Sequence, residues 1–365
     1  MRILHAVLSK GFYGSERHCI ELATAQARAG HDVAVLIEGG DSHCARAFGV
    51  EIAAMNAAIA AERGVGAAQL VVMPAGLPAF LQRPFALLTL IRFHPDIVHT
   101  HLNPAARRVG RVARWLRIPH VATLHIRYEA REHADCDGLI CGASWQHAEI
   151  GPEFRGRAAV VWAWLPGAVH AALARVTPQE VADLRRSWNA DERTVVLGSI
   201  GRLMPEKGMD VLVRAFRAAF PKGDEPVRLV ILGIGPPAEE QALRELAAGD
   251  PRIVLIGPQP EIAPYYLAFD VYVSASRFEP FGLTILEAMD AGCALVVTRT
   301  QGPREFLKDA TVAWAEPGDV ASLAAPLAAA AARGRQRPAY DLSPFAQVRS
   351  VAAIEAFYRK ILQKP

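Results

Sequence analysis

Val195-Val196-Leu197-Gly198-Ser199-Ile200 runs without a break into Gly201-Arg202-Leu203-Met204-Pro205-Glu206-Lys207-Gly208, and an amphipathic segment begins at Met209. An apolar run of six residues, a glycine-bounded turn and a helix together form the leading half of a βαβ unit. Working outward, Arg228–Leu232, Ile253–Ile256, Val271–Ser274 and Ala294–Thr298 read as further strands. Helices centred on Met209–Ala219, Glu239–Ala248, Ile262–Ala268 and Leu283–Ala291 alternate with them. Near-continuous apolar strands between helices indicate a parallel sheet covered on both faces.

The same alternation occupies the first half of the chain. Ile3–Leu8, Val33–Ile37, Ile97–His99, Val121–Leu124 and Gly138–Cys141 read as strands, and Ser15–Ala29, Leu77–Phe93, Ala105–Leu116 and Ser144–Ile150 as helices. The pattern breaks at Trp162-Ala163-Trp164-Leu165-Pro166-Gly167. The expected organisation is therefore two doubly wound α/β domains, 1–165 and 166–344. A last segment, 345–365, carries Phe345, Val348, Val351, Ile354, Tyr358 and Ile361 at helical spacing. An apolar stripe left over after a complete sheet needs a surface to bury it, and the first domain is the expected one.

The 365 residues suffice for two cores; 52% are hydrophobic and 21% charged, a globular balance. A net charge of +3 is too small to imply nucleic acid. Phe85–Ile91 is far shorter than the roughly 20 apolar residues that span a bilayer. Met1–Leu8 reads as a first strand rather than a leader, so a cytosolic location is expected. Five scattered cysteines, Cys19, Cys44, Cys136, Cys141 and Cys293, read as reduced thiols, and Cys136 and Cys141 lack a second pair for zinc.

In open α/β sheets, ligands collect outside the carboxyl ends of strands, at helix N-termini. Arg202 and Lys207 stand at such a position, one a planar fork and the other a compact charge on a long tether, a combination suited to a diphosphate. After Val271–Ser274 comes a second such loop, Glu279-Pro280-Phe281-Gly282-Leu283-Thr284-Ile285-Leu286-Glu287. The N–H groups near Phe281, Gly282 and Leu283 open a helix and form an anion site. Glu279 precedes that helix and can reach a sugar hydroxyl; Glu287, about one turn inside it, suits ribose hydroxyls.

These two segments, in this order, resemble the retaining family-4 glycosyltransferases of the GT-B fold. Gly302-Pro303-Arg304-Glu305 and Pro317-Gly318-Asp319 are similar to the same family's C-terminal pattern, and Gly11-Phe12-Tyr13-Gly14 to its glycine loop beneath the phosphates. The resemblance implies two Rossmann-like domains facing across a cleft, a nucleotide-sugar donor, UDP- or GDP-linked, and retention of anomeric configuration. It assigns Arg202 and Lys207 to the diphosphate, Gly14 to the glycine loop, Glu279 to the transferred sugar and Glu287 to the ribose. His125, after Thr123-Leu124, matches the family's active-site histidine, whereas His99 and His101 read as packing residues. Two positions depart from the pattern: Trp164-Leu165-Pro166-Gly167 replaces an Asn-Gly-Val-Asp-like turn, and Cys293-Ala294 stands where a proline is usual.

No Asp-x-Asp pair marks the strand ends that carry these loops, so neither a metal nor another cofactor is expected and the nucleotide-sugar is a co-substrate. Arg107, Arg111 and Arg114 fall within about 60° on a uniform α-helix. With Trp115 beside them they read either as a solvated face or as a contact to anionic membrane. The expected acceptor is a cell-envelope glycan or glycolipid such as lipopolysaccharide core. A dinucleotide oxidoreductase is excluded: Gly11 and Gly14 do not make Gly-x-Gly-x-x-Gly, and Gly233-Ile234-Gly235 runs into Pro236-Pro237. A GT-B glycan phosphorylase and a non-catalytic sugar-nucleotide-binding protein are the rival readings.

Overall fold

The computed structural model describes residues 1–9, 11, 13–39, 43–63, 68–74 and 77–363; Phe12 and the Cys44 side chain lie outside the described residues. The chain divides into two compact units, Met1–Trp164 with Phe345–Pro365, and Leu165–Pro344.

Among the described residues the first unit holds seven parallel strands: β1 (Arg2–Val7), β2 (Asp32–Glu38), β3 (Ala68–Met73), β4 (Ile97–His101), β5 (His120–Leu124), β6 (Gly138–Cys141) and β7 (Arg157–Val160). Their order is β3-β2-β1-β4-β5-β6-β7. The second unit holds β8 (Val195–Ile200), β9 (Val227–Leu232), β10 (Ile253–Ile256), β11 (Val271–Ser274), β12 (Ala294–Thr298) and β13 (Ala313–Ala315), ordered β10-β9-β8-β11-β12-β13. Both sheets reverse direction of winding beside their first strand, between β1 and β4 and between β8 and β11. At such a switch point, loops leaving adjacent strands diverge and open a crevice. Arg202–Lys207 follows β8 and Glu279–Glu287 follows β11, so both motif loops of the second unit leave the strands that flank its switch point.

Four helices bear on the argument: α1 (Gly14–Arg28), α2 (Met209–Ala219), α3 (Leu283–Asp290) and α4 (Gln347–Leu362). The C-terminal helix α4 packs on the first unit, where Val351, Ile354, Phe357, Tyr358 and Ile361 join Ile3, Leu22, Ile97, Val121, Ile140 and Trp164 in one core cluster. Burying such side chains stabilises by about 2 kcal/mol each, enough to hold a helix sixteen residues long.

Several elements escape the sequence patterns. The helix His43–Arg63 and strand β3 were not anticipated, nor were β7, β13 and the helices Gly167–Leu173 and Pro178–Ser187. His43–Arg63 is alanine-rich and weakly periodic, and β7 is a four-residue edge strand with no fully buried residue. The single helix expected over Ala105–Leu116 is a correction. It forms in three pieces, Asn103–Ala105, one wide π-helical turn Ala106–Gly110, and Arg111–Trp115. The wide turn takes Arg107, Arg111 and Arg114 out of the register of a uniform α-helix. No helix among the described residues is long and apolar enough to cross a membrane.

Candidate functional site

The second unit's switch-point loops are bound to each other. Pro205–Lys207 makes one 3₁₀ turn, and Gly208 follows at φ 65°, where a Cβ would lie 2.1 Å from the Ala275 carbonyl oxygen. Glycine is thus required both for the left-handed backbone and for the approach of the two loops. The Glu206 carbonyl accepts the Arg277 N–H at 2.8 Å, and the Arg277 guanidinium grips Asp210 with bonds of 2.8 and 2.7 Å. That guanidinium holds the Asp210 carboxyl below the ordinary carboxylate range. Gly208→Ala is expected to destabilise the second unit by about 3 kcal/mol, from left-handed strain plus overpacking. Urea unfolding would read this as a shifted midpoint, and an unshifted one would contradict the close approach.

Within this frame Lys207 Nζ donates to Glu279 Oε2 at 2.6 Å, and Ser276 Oγ lies 3.5 Å from the same oxygen. The pair is largely withdrawn from water, with the Lys207 side chain 20% exposed and that of Glu279 9%. Sequence separation gives no hint of this contact, since each residue has its own loop. Arg202 is more exposed and its Nη2 lies 3.3 Å from Glu206 Oε1. The Glu279 carbonyl accepts the Gly302 N–H at 3.0 Å, which ties the Gly302-Pro303 segment to the same loop. Gly282, at φ 111°, turns the chain into α3; Phe281 is buried against Phe306, with ring centroids 5.2 Å apart, and Leu283 is half-buried.

Glu287 lies inside α3, buried, and accepts the Tyr266 hydroxyl at 2.6 Å. Burial first, and then this carboxylate, push the Tyr266 pKa well up, so the hydroxyl stays a donor. Tyr266, Ser276 and Arg277 do not stand out in the sequence. Their types are common, and only the packed loops reveal what they hold.

In the first unit, Gly14 opens α1 and is exposed, and Glu16 Oε2 accepts the Tyr13 N–H and the Ser15 hydroxyl, both at 2.9 Å. His125 follows β5 and is half-buried. Its Nε2 lies 3.1 Å from His101 Nδ1, His101 Nε2 lies 3.2 Å from His5 Nδ1, and His5 Nε2 lies 2.7 Å from Gln26 Oε1. His99 contacts Thr123 Oγ1 at 2.7 Å and the Tyr358 hydroxyl at 2.5 Å. His18 stacks on Trp164, centroids 4.1 Å apart. Burial drives the pKa of His5 and of His125 from 6.5 to about 4, and those of His18, His99 and His101 well down, with neighbouring imidazoles adding to the latter three.

Cys19, Cys136, Cys141 and Cys293 are buried, and burial raises the Cys141 and Cys293 thiols to about 12. Ligand-type atoms of His5, Cys19 and His101 lie within 4.8 Å of one another. That group comes from three elements, which no local spacing announces. The Asp-x-Asp spacing at Asp135 and Asp137 is engaged otherwise: Asp135 pairs with Arg114, and Asp137 accepts the His120 N–H at 2.9 Å.

The other arginines of the expected stripe also have partners. Arg107 pairs with Glu132 at 3.5 Å, and Arg111 Nη2 donates to the Arg131 carbonyl at 2.8 Å. Trp115 beside them is 72% exposed.

Comparison with known proteins gives the context. Residues 12–198 match the model described as Glycosyltransferase Family 4, and residues 194–332 the one described as Glycosyl transferases group 1. A D-inositol 3-phosphate glycosyltransferase of Pseudarthrobacter chlorophenolicus is 30% identical over 236 residues, 57% of this chain and 55% of that protein. The lipopolysaccharide core biosynthesis mannosyltransferase LpcC of Rhizobium leguminosarum bv. viciae is 31% identical over 182 residues, 46% of this chain and 51% of that protein. The chain thus spans about half the length of these curated relatives. Anabaena Alr3699/HepE, solved in complex with UDP and glucose, superposes with a TM-score of 0.75 at 20% identity, covering 100% of both chains. One family model covers just over half of the sequence and the folds agree throughout: the chain belongs to glycosyltransferase family 4 and is built as two Rossmann-like units of the GT-B type.

Proposed function

We propose that the chain moves a sugar, with retention of configuration, from a UDP- or GDP-linked donor to a hydroxyl of a cell-envelope glycan or glycolipid such as lipopolysaccharide core. The observation that carries this reading is the Lys207–Glu279 pair of 2.6 Å, held by two loops at a sheet switch point. An ammonium has three donors, so Lys207 can keep Glu279 and still meet a phosphate oxygen. The leaving nucleoside diphosphate needs its charge stabilised more than it needs a proton. Lys207, Arg202 and the α3 N-terminus near Gly282 supply that without a metal. Glu279, anchored on Lys207, is the contact to the transferred sugar, Glu287 is assigned to the ribose, and His125 is a second contact to the sugar.

The names of similar proteins support the chemistry: one relative is a lipopolysaccharide core mannosyltransferase, and the Anabaena structure holds UDP and glucose. Saturation-transfer NMR with UDP-, GDP- and ADP-sugars is expected to show one base preferred, with turnover unchanged by EDTA. Binding of none of the three would favour a scaffold. Turnover that depends on inorganic phosphate would favour the phosphorylase reading.

A cytoplasmic site of action with peripheral membrane contact completes the proposal. Arg107 and Arg114 are partly neutralised by Glu132 and Asp135, so docking through this face with Trp115 is expected to be weak and salt-sensitive. Liposome flotation with and without anionic lipid checks this; equal recovery would remove the docking role.

A further inference from the structure

Three imidazoles in a row lead from the core of the first unit to His125. The chain of contacts is Gln26 Oε1–Nε2 His5 Nδ1–Nε2 His101 Nδ1–Nε2 His125, with separations of 2.7, 3.2 and 3.1 Å. His5, His101 and Gln26 are wholly buried, on β1, β4 and α1, with His99 and Thr100 also buried on β4. A neutral imidazole carries one donor and one acceptor nitrogen. Each contact in the row must hold one proton, so the three rings have only two consistent arrangements, all Nε2–H or all Nδ1–H. Burial keeps the rings neutral, since it lowers the pKa of each.

The blind end of the row decides between the two arrangements. Gln26 presents its carbonyl oxygen, an acceptor only, to His5 Nε2. Its amide Nε2 is buried and makes no hydrogen bond. With Oε1 on His5, His5 donates from Nε2 and accepts at Nδ1, His101 does the same, and His125 donates to His101 from Nε2. The remaining nitrogen of His125, Nδ1, is then a lone pair. A reversed amide would invert every ring and turn that nitrogen into a donor.

We propose that Gln26 is a positioning residue, acting through His5 and His101 to hold His125 as the Nε2–H tautomer, so that its Nδ1 accepts a hydrogen bond from a hydroxyl of the transferred sugar. The role of the lone pair rests on the reading of His125 as a sugar contact; the tautomer itself does not. Which nitrogen of a histidine is free is set by the partner of the other, and here that partner chain is two rings long. Nothing in the motif around His125 encodes it, because Gln26 stands 99 positions earlier, on α1.

Long-range ¹H–¹⁵N correlation on histidine-labelled protein reads the tautomer of each ring directly, and the unmodified chain is expected to show Nε2–H at His5, His101 and His125. Gln26→Leu, with Gln26→Met as the unbranched alternative if leucine prevents folding, is expected to give His125 a mixed or inverted tautomer. Turnover should fall roughly tenfold with the donor KM changed less than about twofold. In a His125→Ala background the Gln26 substitution should cost nothing further. Nδ1–H at His125 in the unmodified protein, or a tautomer unmoved by removing Gln26, would overturn the proposal. So would a stoichiometric metal on His5, Cys19 and His101, since a nitrogen cannot bind a metal and share this proton. Full turnover in His125→Ala would instead sink the sugar-contact reading and leave the tautomer measurement standing.

Discussion

Lys207→Ala is expected to lower turnover roughly a hundredfold or more, the loss typical when one preorganised charge or donor is removed from a developing anion. The ammonium is held in place before substrate arrives, by Glu279 at 2.6 Å and by the 3₁₀ turn whose Lys207 N–H donates to the Met204 carbonyl at 2.9 Å. On the proposed reading, little reorganisation is then needed when the diphosphate departs. The substitution also leaves the Glu279 carboxylate inside the protein without its cation, so part of the effect is repulsion of the incoming donor. Lys207→Arg separates the two contributions: it keeps the charge but replaces a three-donor point by a planar fork, and is expected to restore only part of the rate. Release of nucleoside diphosphate in steady state is the measurement. Near-normal turnover in Lys207→Ala would remove the diphosphate assignment.

The second large expected effect is a loss of stability in mild acid, greatest in the first unit. His5, His99, His101, His120 and His133 are buried in it, with His18 and His125 beside them, and burial lowers the pKa of each, to about 4 for His5, His120, His125 and His133. The second unit carries one histidine, His170, exposed and facing Asp290. A histidine whose folded pKa lies below the unfolded 6.5 binds fewer protons folded than unfolded in the window between the two. Its neutral, buried form is therefore fully stable above pH 6.5, and stability is lost as pH falls from 6.5 toward 4, flattening below that. For His5 alone the difference is about 3 kcal/mol. Adjacent rings titrate as a group, so the individual figures do not add, yet a few kcal/mol is a large share of a domain's stability. Urea unfolding at pH 7 and pH 5, followed through Trp164 stacked on His18, should show a marked loss in the first unit. An unchanged midpoint there would mean that the rings are not held neutral.

Much of the scaffold is legible from patterning. The apolar runs at β1, β2, β8, β9, β11 and β12 coincide with central strands, because a parallel strand buried on both faces has to be apolar nearly throughout. Edge strands such as β7 and β13 lack that requirement and leave little trace. The arginine segment shows the limit of periodicity: one π-helical turn at Ala106–Gly110 rephases all that follows, and the partners Glu132 and Asp135 come from another element. The two motif loops announce themselves by glycine, proline and charge, but not their contact with each other.

The sequence by itself determines the alternation of strand and helix, the turn at Gly208 and the placing of cations and carboxylates at strand ends. These depend on local period and on φ, which neighbours in the chain control. The tertiary structure alone decides what those groups meet. Lys207 finds Glu279 72 residues away, His5 finds His101 96 residues away, and Glu287 finds Tyr266 in another helix. The reason is that partner choice is made by strand order and register, which bring β8 beside β11 and β1 beside β4. The opening motif therefore marks where charge would gather, and the packed sheets determine which charge each residue keeps.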